Sequence, residues 1–346
     1  MKAAVYYAPK DIRLQEMEKP KPLTGEVVIE VKACGICGSD LHFYEGIKDV
    51  DINPGIILGH ELGGEVVEVG KGVEKLKIGD RVGVEPLIGC GTCEFCQVGK
   101  YHICPGLQTI GINFHGGFAE YAKAPQEKVY KLPDNVSYED TTLLDAYAVS
   151  VHGINRVSVD VKDVVVVIGS GPLGFTTMQV VKAAGAKKVI LVGRRDENLE
   201  IAKTAGADIT LNTTKVDVVN EVKKLTNGRG ANIVFECVGG LAPTLGQALQ
   251  MARPEGVIGI IGAYSEDPIL DFWSGYFKEL NLLWVSSYAK WGGKPEFEIG
   301  IDLLASEKCN AKPLVTHKFP LDEITDGFEA LLNKKETNAI KVAVIP

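Results

Sequence analysis

The stretch that decides the fold is Val164–Arg195, VVVVIGSGPLGFTTMQVVKAAGAKKVILVGRR. It opens with five consecutive β-branched apolar residues, Val164–Ile168, which are typical of a short strand buried on both faces. From Pro172 to Ala184 the apolar residues recur with helical periodicity, and Val189–Val192 forms a second apolar run. The pattern therefore predicts a strand, a helix and a second strand in immediate succession.

Three glycines, Gly169, Gly171 and Gly174, connect the first strand to the helix with the spacing G-x-G-x-x-G. In such a turn the first glycine permits a tight reversal, the second lets the backbone approach a pyrophosphate, and the third allows close helix–strand packing. Pro172 and Leu173 stand at the start of the helix, where free N–H groups and the positive dipole end favour phosphate. The order of these elements predicts a dinucleotide-binding unit.

The residues after the second strand bear on the choice of cofactor. NAD-specific domains place an Asp or Glu there, about 20 residues beyond the glycines, to hold the ribose hydroxyls. This chain has Gly193, which we expect to leave room for a bulkier group, followed by Arg194 and Arg195. Because guanidinium groups match phosphate geometry, we predict NADP(H) in preference to NAD(H). The alternative is that both arginines lie in a solvated turn, paired with Asp196 and Glu197.

Length and composition limit the classes of protein that need to be considered. The chain has 346 residues, 45% hydrophobic and 24% charged, which predicts an ordinary globular protein of two domains. A net charge of −8 without a basic stripe argues against nucleic acid as a partner. No apolar run reaches about 18 residues and the N-terminus lacks a signal sequence, so we expect no membrane span and a cytoplasmic location.

Elsewhere the pattern changes from short strands to alternating strands and helices. Before residue 164, short β-rich runs separated by glycine turns predict a small barrel or sandwich, and after it the alternation predicts a doubly wound parallel sheet. The strands of that sheet are expected near 164–168, 189–192, 208–211, 232–236 and 256–261. Two later helices, at 299–305 and 322–332, and a final strand at 339–345 complete the prediction.

Four cysteines lie close together in the segment CGTCEFCQVGKYHIC, as Cys90, Cys93, Cys96 and Cys104. Four thiolates on short loops suit a closed tetrahedral zinc site, which has no open position and stabilises a loop that lacks a core of its own. An iron–sulfur cluster and a redox-sensitive thiol patch are the alternatives, because four cysteines can hold iron as well.

A second group of metal-binding residue types is dispersed: Cys37, His60, Glu61 and Asp145. A cysteine, a histidine and a carboxylate supply three ligands and leave one position open, as a catalytic zinc requires. Taken singly, each has an ordinary structural explanation: a small buried residue, a core histidine, a surface acid and a helix cap.

The segment Gly59-His60-Glu61, followed by Gly64 and Gly70, resembles the G-H-E-x2-G-x5-G signature of the zinc-containing alcohol dehydrogenases. These enzymes belong to the medium-chain dehydrogenase/reductase superfamily. The four-cysteine loop resembles their structural zinc lobe and the glycine turn their cofactor domain, so the resemblance spans nearly the whole chain. Within the superfamily the chain is most similar to the polyol (sorbitol) dehydrogenase branch, with threonine and butanediol dehydrogenases as relatives.

The resemblance implies an α/β protein with a Rossmann doubly wound parallel sheet domain and a GroES-like β domain that carries the zinc lobe. It implies that residues 1–152 and 288–346 form the catalytic domain, that 153–287 bind the cofactor, and that the active site is the cleft between them. Relatives are dimers or tetramers, so a homo-oligomer is expected.

The resemblance also implies roles for individual residues. Asp145 stands where the polyol branch has glutamate, and resembles instead the aspartate ligand of bacterial secondary-alcohol dehydrogenases. Ser287 stands where polyol enzymes have an arginine before a tyrosine, here Tyr288. The remaining implied roles are zinc ligation by Cys37 and His60, ligation or exchange at the zinc by Glu61, and transfer of the alcohol proton by Ser39 and His42.

The expected activity is hydride transfer between a secondary alcohol, of the polyol class, and NADP, with two zinc ions per chain. Within the family, the alternatives are an NADP-dependent secondary-alcohol, butanediol or threonine-type dehydrogenase and an NAD-dependent polyol dehydrogenase. A zinc-free quinone or enoyl reductase and a non-catalytic zinc protein are more distant alternatives. Cys37 and His60 argue against the zinc-free reductase, and intact ligands at both metal groups argue against the non-catalytic protein.

Overall fold

A computed structural model describes residues 1–47 and 52–346 of the chain. These residues divide into two compact units, one formed by Met1–Asp145 with Leu314–Pro346 and the other by Ala146–Pro313. The domain boundaries predicted from the sequence, 152/153 and 287/288, both lie within the range of the second unit and stay a prediction.

The strands and helices are numbered in chain order. The strands are β1 Lys2–Ala8, β2 Asp11–Glu16, β3 Glu26–Ile36, β4 Ile56–Ile57, β5 Glu61–Val69, β6 Arg81–Val84, β7 Leu87–Ile88, β8 Gln108–Thr109, β9 Tyr121–Pro125, β10 Val129–Lys131, β11 Val164–Ile168, β12 Lys188–Gly193, β13 Ile209–Asn212, β14 Ala231–Glu236, β15 Ala252–Ile260, β16 Asn281–Trp284, β17 Lys290–Trp291, β18 Lys294–Pro295, β19 Val315–Pro320 and β20 Lys341–Ile345. The helices are α1 Gly38–Glu45, α2 Glu94–Gln97, α3 Leu144–Val157, α4 Pro172–Ala183, α5 Asp196–Thr204, α6 Val218–Leu225, α7 Thr244–Met251, α8 Phe272–Phe277, α9 Glu296–Ala305, α10 Ile324–Leu332 and α11 Lys334–Thr337.

The first unit is built around a seven-stranded sheet in the order β10-β6-β5-β3-β20-β19, with β9 also paired to β3. Strand β3 is central, and Val27, Val28 and Ile29 are all fully buried, so the strand is covered on both faces. The C-terminal strand β20 pairs with β3 in antiparallel register, Ala343 opposite Gly35. Both ends of the described chain therefore contribute to this unit.

The second unit contains a six-stranded, wholly parallel sheet in the order β13-β12-β11-β14-β15-β16. The chain runs outward from β11 in one direction and then from β14 in the other, so the strand order reverses between these two strands. In open α/β sheets, ligands bind beyond the carboxyl ends of the strands at such a reversal. The predicted doubly wound parallel sheet is confirmed, although the edge strand β16 was missed by the sequence analysis.

The helices are short or contain polar residues. Within residues 1–47 and 52–346, no helix is both long enough and apolar enough to cross a membrane.

Candidate metal and cofactor sites

Three of the predicted zinc ligands lie together in the first unit. Cys37 directly precedes α1, His60 directly precedes β5, and Glu61 opens β5. Their ligand atoms all lie within 4.8 Å of one another, and His60 and Glu61 are 6% and 3% exposed. A thiol, an imidazole and a carboxylate that converge in a buried place form a donor set that suits zinc.

Asp145 lies near this group without joining it. It occupies the first turn of α3 and is half-buried. Its carboxylate is not among the atoms that lie within 4.8 Å of one another, but it is close enough to interact electrostatically with Glu61. Its role as a zinc ligand stays a prediction.

Asp40, which was not predicted as a site residue from the sequence, lies directly behind His60. Asp40 is fully buried, its Oδ2 accepts a hydrogen bond of 2.9 Å from the Cys37 N–H, and its Oδ1 lies 3.7 Å from His60 Nδ1. Burial opposes a charge on His60, but Asp40 and Cys37 outweigh it and raise the pKa of His60 well above its ordinary value. A carboxylate at this place can orient a ligand histidine. The available signal was a carboxylate three residues after Cys37.

Lys341 is a second residue of this site that was not predicted from the sequence. It comes from β20, is 2% exposed, donates a hydrogen bond of 3.2 Å to the Ile36 carbonyl, and forms an ion pair with Glu61. Burial alone would lower the pKa of Lys341, but Glu61 outweighs it and raises the pKa. A Cβ at Gly35 would lie 2.6 Å from both Glu61 Oε2 and Lys341 Cε, so a glycine is needed beside the pair.

The two predicted proton-transfer residues lie on α1. Ser39 is half-buried and His42 is exposed. Ser39 does not hold the N-cap position of α1, because Cys37 holds it and Asp40 accepts a hydrogen bond from the Cys37 N–H. The roles of Ser39 and His42 in proton transfer stay a prediction.

The four cysteines of the other group also converge. The sulfur atoms of Cys90, Cys93, Cys96 and Cys104 lie within 4.8 Å of one another, and the four residues form no disulfide. The N–H of Thr92, with its hydroxyl and the N–H of Cys93, lowers the pKa of Cys90 to about 6, which favours its thiolate at neutral pH. Burial raises the pKa of Cys96 to about 12, so the case for a cation site rests on the convergence of the four sulfur atoms, which suits tetrahedral coordination.

A buried ion pair connects the cysteine loop to the sheet. Glu85 is fully buried, and its two oxygens accept hydrogen bonds of 2.8 Å from Lys128 and from the Tyr130 hydroxyl. The Lys128 ammonium also lies 3.8 Å from the ring centre of Tyr101, which belongs to the cysteine loop. Such a cation–π contact attaches the loop to the sheet.

In the second unit the glycine turn has the predicted geometry. A Cβ at Gly174 would lie 1.9 Å from the Gly169 carbonyl, and Gly169 has a positive φ of 120°, so neither position tolerates a side chain. A Cβ at Gly171 would meet nothing within 4 Å, which leaves the backbone open to a ligand. Helix α4 begins at Pro172, with Leu173 in its first turn, and has no side-chain cap to occupy its free N–H groups.

The end of β12 differs from one expectation. A Cβ at Gly193 would lie 2.7 Å from Ser170 Oγ and 3.0 Å from Leu199 Cδ2, so the expectation of free room beside Gly193 is wrong: Ser170 fills it. Arg194 is exposed, and Arg195 is half-buried at the start of α5, where burial lowers its pKa.

Asp196 contacts residues outside this turn. Its carboxylate accepts a hydrogen bond of 2.8 Å from Asn212 and forms an ion pair of 2.7 Å with Lys215. The solvated turn stays the alternative to a phosphate site, because Glu197 interacts electrostatically with Arg195.

Comparison with known proteins identifies the family of the chain. Residues 23–134 match the alcohol dehydrogenase GroES-like domain family, and residues 172–306 match the zinc-binding dehydrogenase family. The chain is 35% identical to sorbitol dehydrogenase of Bacillus subtilis over 350 residues, which cover 100% of this chain and 97% of that one. It is 37% identical to L-threonine 3-dehydrogenase of Pyrococcus horikoshii over 322 residues, covering 92% and 91% of the two chains.

A solved structure gives the same result. The crystal structure of 2R,3R-butanediol dehydrogenase from Bacillus subtilis superposes with a TM-score of 0.89 at 34% identity, covering 100% of this chain and 99% of that one. The predicted GroES-like and Rossmann architecture is thus confirmed. Since identity above 30% extends over the whole length, the chain belongs to the zinc-dependent alcohol dehydrogenases of the medium-chain dehydrogenase/reductase superfamily, near their polyol branch, and is an oxidoreductase.

Proposed function

We propose that the protein transfers a hydride between a secondary alcohol, of the polyol class, and NADP, and that the product is a ketone. The observation that carries this proposal is the buried convergence of Cys37, His60 and Glu61. Zinc bound there would polarise the substrate oxygen and lower the pKa of the alcohol hydroxyl. Behind the ligands, Lys341 forms an ion pair with Glu61, and Asp40 Oδ1 lies 3.7 Å from His60 Nδ1, where it can orient the imidazole.

The chain's own residues supply the proton pathway. Ser39 follows Cys37 by two residues in the first turn of α1, so its hydroxyl can accept a hydrogen bond from the substrate alcohol. His42 is exposed one turn further along, and its imidazole can exchange the proton with water. Asp145 supplies a further carboxylate near the ligand group, as a ligand or as a charge that balances it.

The metal content that we propose is two zinc ions per chain. The first is held by Cys37, His60 and Glu61 or Asp145, and the second by the four sulfur atoms of the cysteine loop. Elemental analysis of the purified protein should give two equivalents of zinc, and a measurable iron content would instead favour an iron–sulfur cluster in the loop.

The substrate class is proposed from the relatives, whose names give sorbitol, L-threonine and 2R,3R-butanediol. Each of these compounds carries a secondary alcohol. Asp145 and Ser287 depart from the polyol pattern, so simple secondary alcohols, butanediol and threonine are kept as the second candidate class. The test is turnover with polyols, ketoses, secondary alcohols and threonine, each with both cofactors. Activity only with primary alcohols would contradict the proposal.

We expect NADP to be preferred over NAD by about 10- to 100-fold in kcat/KM, because one charge-assisted contact is worth roughly 1.5–3 kcal/mol. Arg194→Ala should reduce kcat/KM with NADP by about tenfold and leave NAD unchanged. The exposed Arg229 in the same unit offers a matched control, and Arg229→Ala should change neither value. A wild-type preference for NAD would contradict this prediction.

The space beside Gly193 also determines how the preference can be reversed. Gly193→Asp alone would place its Cβ 2.7 Å from Ser170 Oγ, so we expect this variant to bind both cofactors poorly. The triple change Ser170→Gly, Gly193→Asp and Arg194→Ala removes that contact and adds a carboxylate for the ribose hydroxyls. It should therefore favour NAD.

We further propose that the protein is a homo-oligomer. Phe272, Trp273, Tyr276 and Phe277 on α8 stack on one another, although each is at least 61% exposed. They neighbour β16, which in the described chain pairs on one side only. An exposed apolar patch beside an open sheet edge is typical of an interface.

Phe277→Glu should therefore reduce the mass measured by sedimentation velocity to that of a smaller species. Val161→Glu is a matched control, because Val161 is similarly exposed, 71% against 77%, but lies outside the patch. A wild-type monomer, or no change in the mass of the Phe277 variant, would contradict the proposal.

A further inference from the structure

We propose that Glu236 is a positioning residue of the cofactor site. Its buried carboxylate fixes the loops that follow β14 and β15 in the backbone conformation that binds the cofactor. Glu236 is the last residue of β14, the strand next to β11 at the point where the strand order reverses. Its side chain therefore lies where a parallel sheet binds its ligand. The inference rests on the proposed cofactor site and adds a residue outside the glycine turn and the arginines.

One oxygen of Glu236 organises the loop that follows it. Oε1 accepts hydrogen bonds from the N–H groups of Val238, at 2.8 Å, and Gly239, at 3.1 Å. It also accepts one of 2.8 Å from the Thr244 hydroxyl at the start of α7. Three donors on one carboxylate oxygen fix the backbone of the loop from β14 to α7.

The same residue brings the second loop close. The Glu236 carbonyl accepts hydrogen bonds from the N–H groups of Ile261, at 2.8 Å, and Gly262, at 3.0 Å. A Cβ at Gly262 would lie 2.5 Å from Glu236 Oε2 and 2.4 Å from the Gly239 nitrogen. The two loops therefore pack against each other with Glu236 between them, and only a glycine at 262 permits it.

The first loop in turn contacts the glycine turn. A Cβ at Gly169 would lie 3.0 Å from Val238 Cγ2 and 3.3 Å from the carbonyl carbon of Cys237. The N–H of Cys237 also donates a hydrogen bond of 2.9 Å to the Ile168 carbonyl, at the end of β11. The loop held by Glu236 and the predicted pyrophosphate-binding turn thus form adjoining walls of one crevice.

The second carboxylate oxygen of Glu236, Oε2, indicates that this residue does more than stabilise the fold. Glu236 is fully buried, and Oε2 has no hydrogen bond of good geometry within the part of the chain that the structure describes, although the Tyr264 hydroxyl interacts with the carboxylate. Burying a polar oxygen in this way reduces stability. A residue kept at such a cost is better explained by the shape that it gives to the cofactor crevice.

The test is the dissociation constant of the cofactor, measured by fluorescence titration of the full-length protein without substrate. Glu236→Ala should raise it about tenfold or more, because three donors lose their acceptor. Glu236→Gln keeps an acceptor oxygen for these donors and should stay within about threefold of wild type. Gly262→Ala displaces the same loop without removing the carboxylate, and should also raise the constant about tenfold.

Glu85→Ala is the matched control, because Glu85 is equally buried and hydrogen-bonded but belongs to the other unit. It should lower the urea midpoint without changing cofactor binding. If Glu236→Ala does not fold, the Gln and Gly262 variants decide. Wild-type cofactor affinity in Gly262→Ala would overturn the proposal. So would a Glu236→Gln variant that binds the cofactor as weakly as Glu236→Ala or Gly262→Ala. The titrations use whichever cofactor the wild-type protein binds more tightly. A preference of the wild type for NAD would therefore contradict the NADP proposal without affecting the test of Glu236.

Discussion

Replacing Cys37 by alanine is expected to lower kcat/KM by about a thousandfold or more while leaving the free energy of unfolding almost unchanged. The expected loss is the several kcal/mol of charge stabilisation that a metal supplies at a reacting oxygen. The fold should persist because Cys37 is only half-buried and lies at the start of α1, outside the hydrophobic core of the sheet.

The measurement combines turnover, zinc content and a urea unfolding curve. Cys37→Ala should retain one zinc of two, and Cys93→Ala should lose the other zinc together with stability, because its site closes a loop without a core. Cys309→Ala serves as the control, since Cys309 is buried and belongs to the other unit. Two zinc ions and normal turnover in Cys37→Ala would refute the ligand assignment.

Replacing Lys341 by methionine is expected to destabilise the protein by roughly 3–5 kcal/mol, the usual cost of leaving a buried charge without its partner. The charge left behind is Glu61, 3% exposed and paired in the structure with Lys341. Adding Glu61→Gln to the same chain should recover much of the loss, because the variant then buries no unpaired charge.

A urea unfolding series on the metal-free protein measures this effect. Lys318→Met is the matched control: Lys318 is 53% exposed in its ion pair with Glu139, and such pairs contribute about 0–1 kcal/mol. If Lys341→Met lowered the free energy of unfolding no more than Lys318→Met does, the Lys341–Glu61 pair would be too well hydrated to stabilise the site. The double variant should then show no coupling.

The parts of the molecule that the sequence predicts well are those in which the informative residues are neighbours. The strand and glycine turn at Val164–Gly174 could be identified because a buried run, a spacing and a helical period occur within one short stretch. The four cysteines likewise lie within fifteen residues, Cys90 to Cys104, so their convergence followed from short loops.

Residues that act through distant partners could not be found in this way. Lys341 looks like an ordinary strand lysine until β20 pairs with β3 and brings it to Glu61, 280 residues earlier in the chain. Ser170 could not be foreseen as the side chain that fills the space beside Gly193, because this depends on the packing between β12 and the turn. Such contacts are set by strand register and close packing, which a hydrophobic pattern does not encode.

The position of β20 has a consequence for how the enzyme matures in the cell. The Lys341 ammonium donates a hydrogen bond to the Ile36 carbonyl, and the two residues are 305 positions apart in the chain. At translation rates of about 5–20 residues per second, the ribosome adds Lys341 roughly 15 to 60 s after Ile36. The second unit is one continuous segment, so it can fold while synthesis continues, whereas the first waits for its closing strand. A nascent chain that stalls before β20 therefore holds Glu61 without its counter-ion, Lys341.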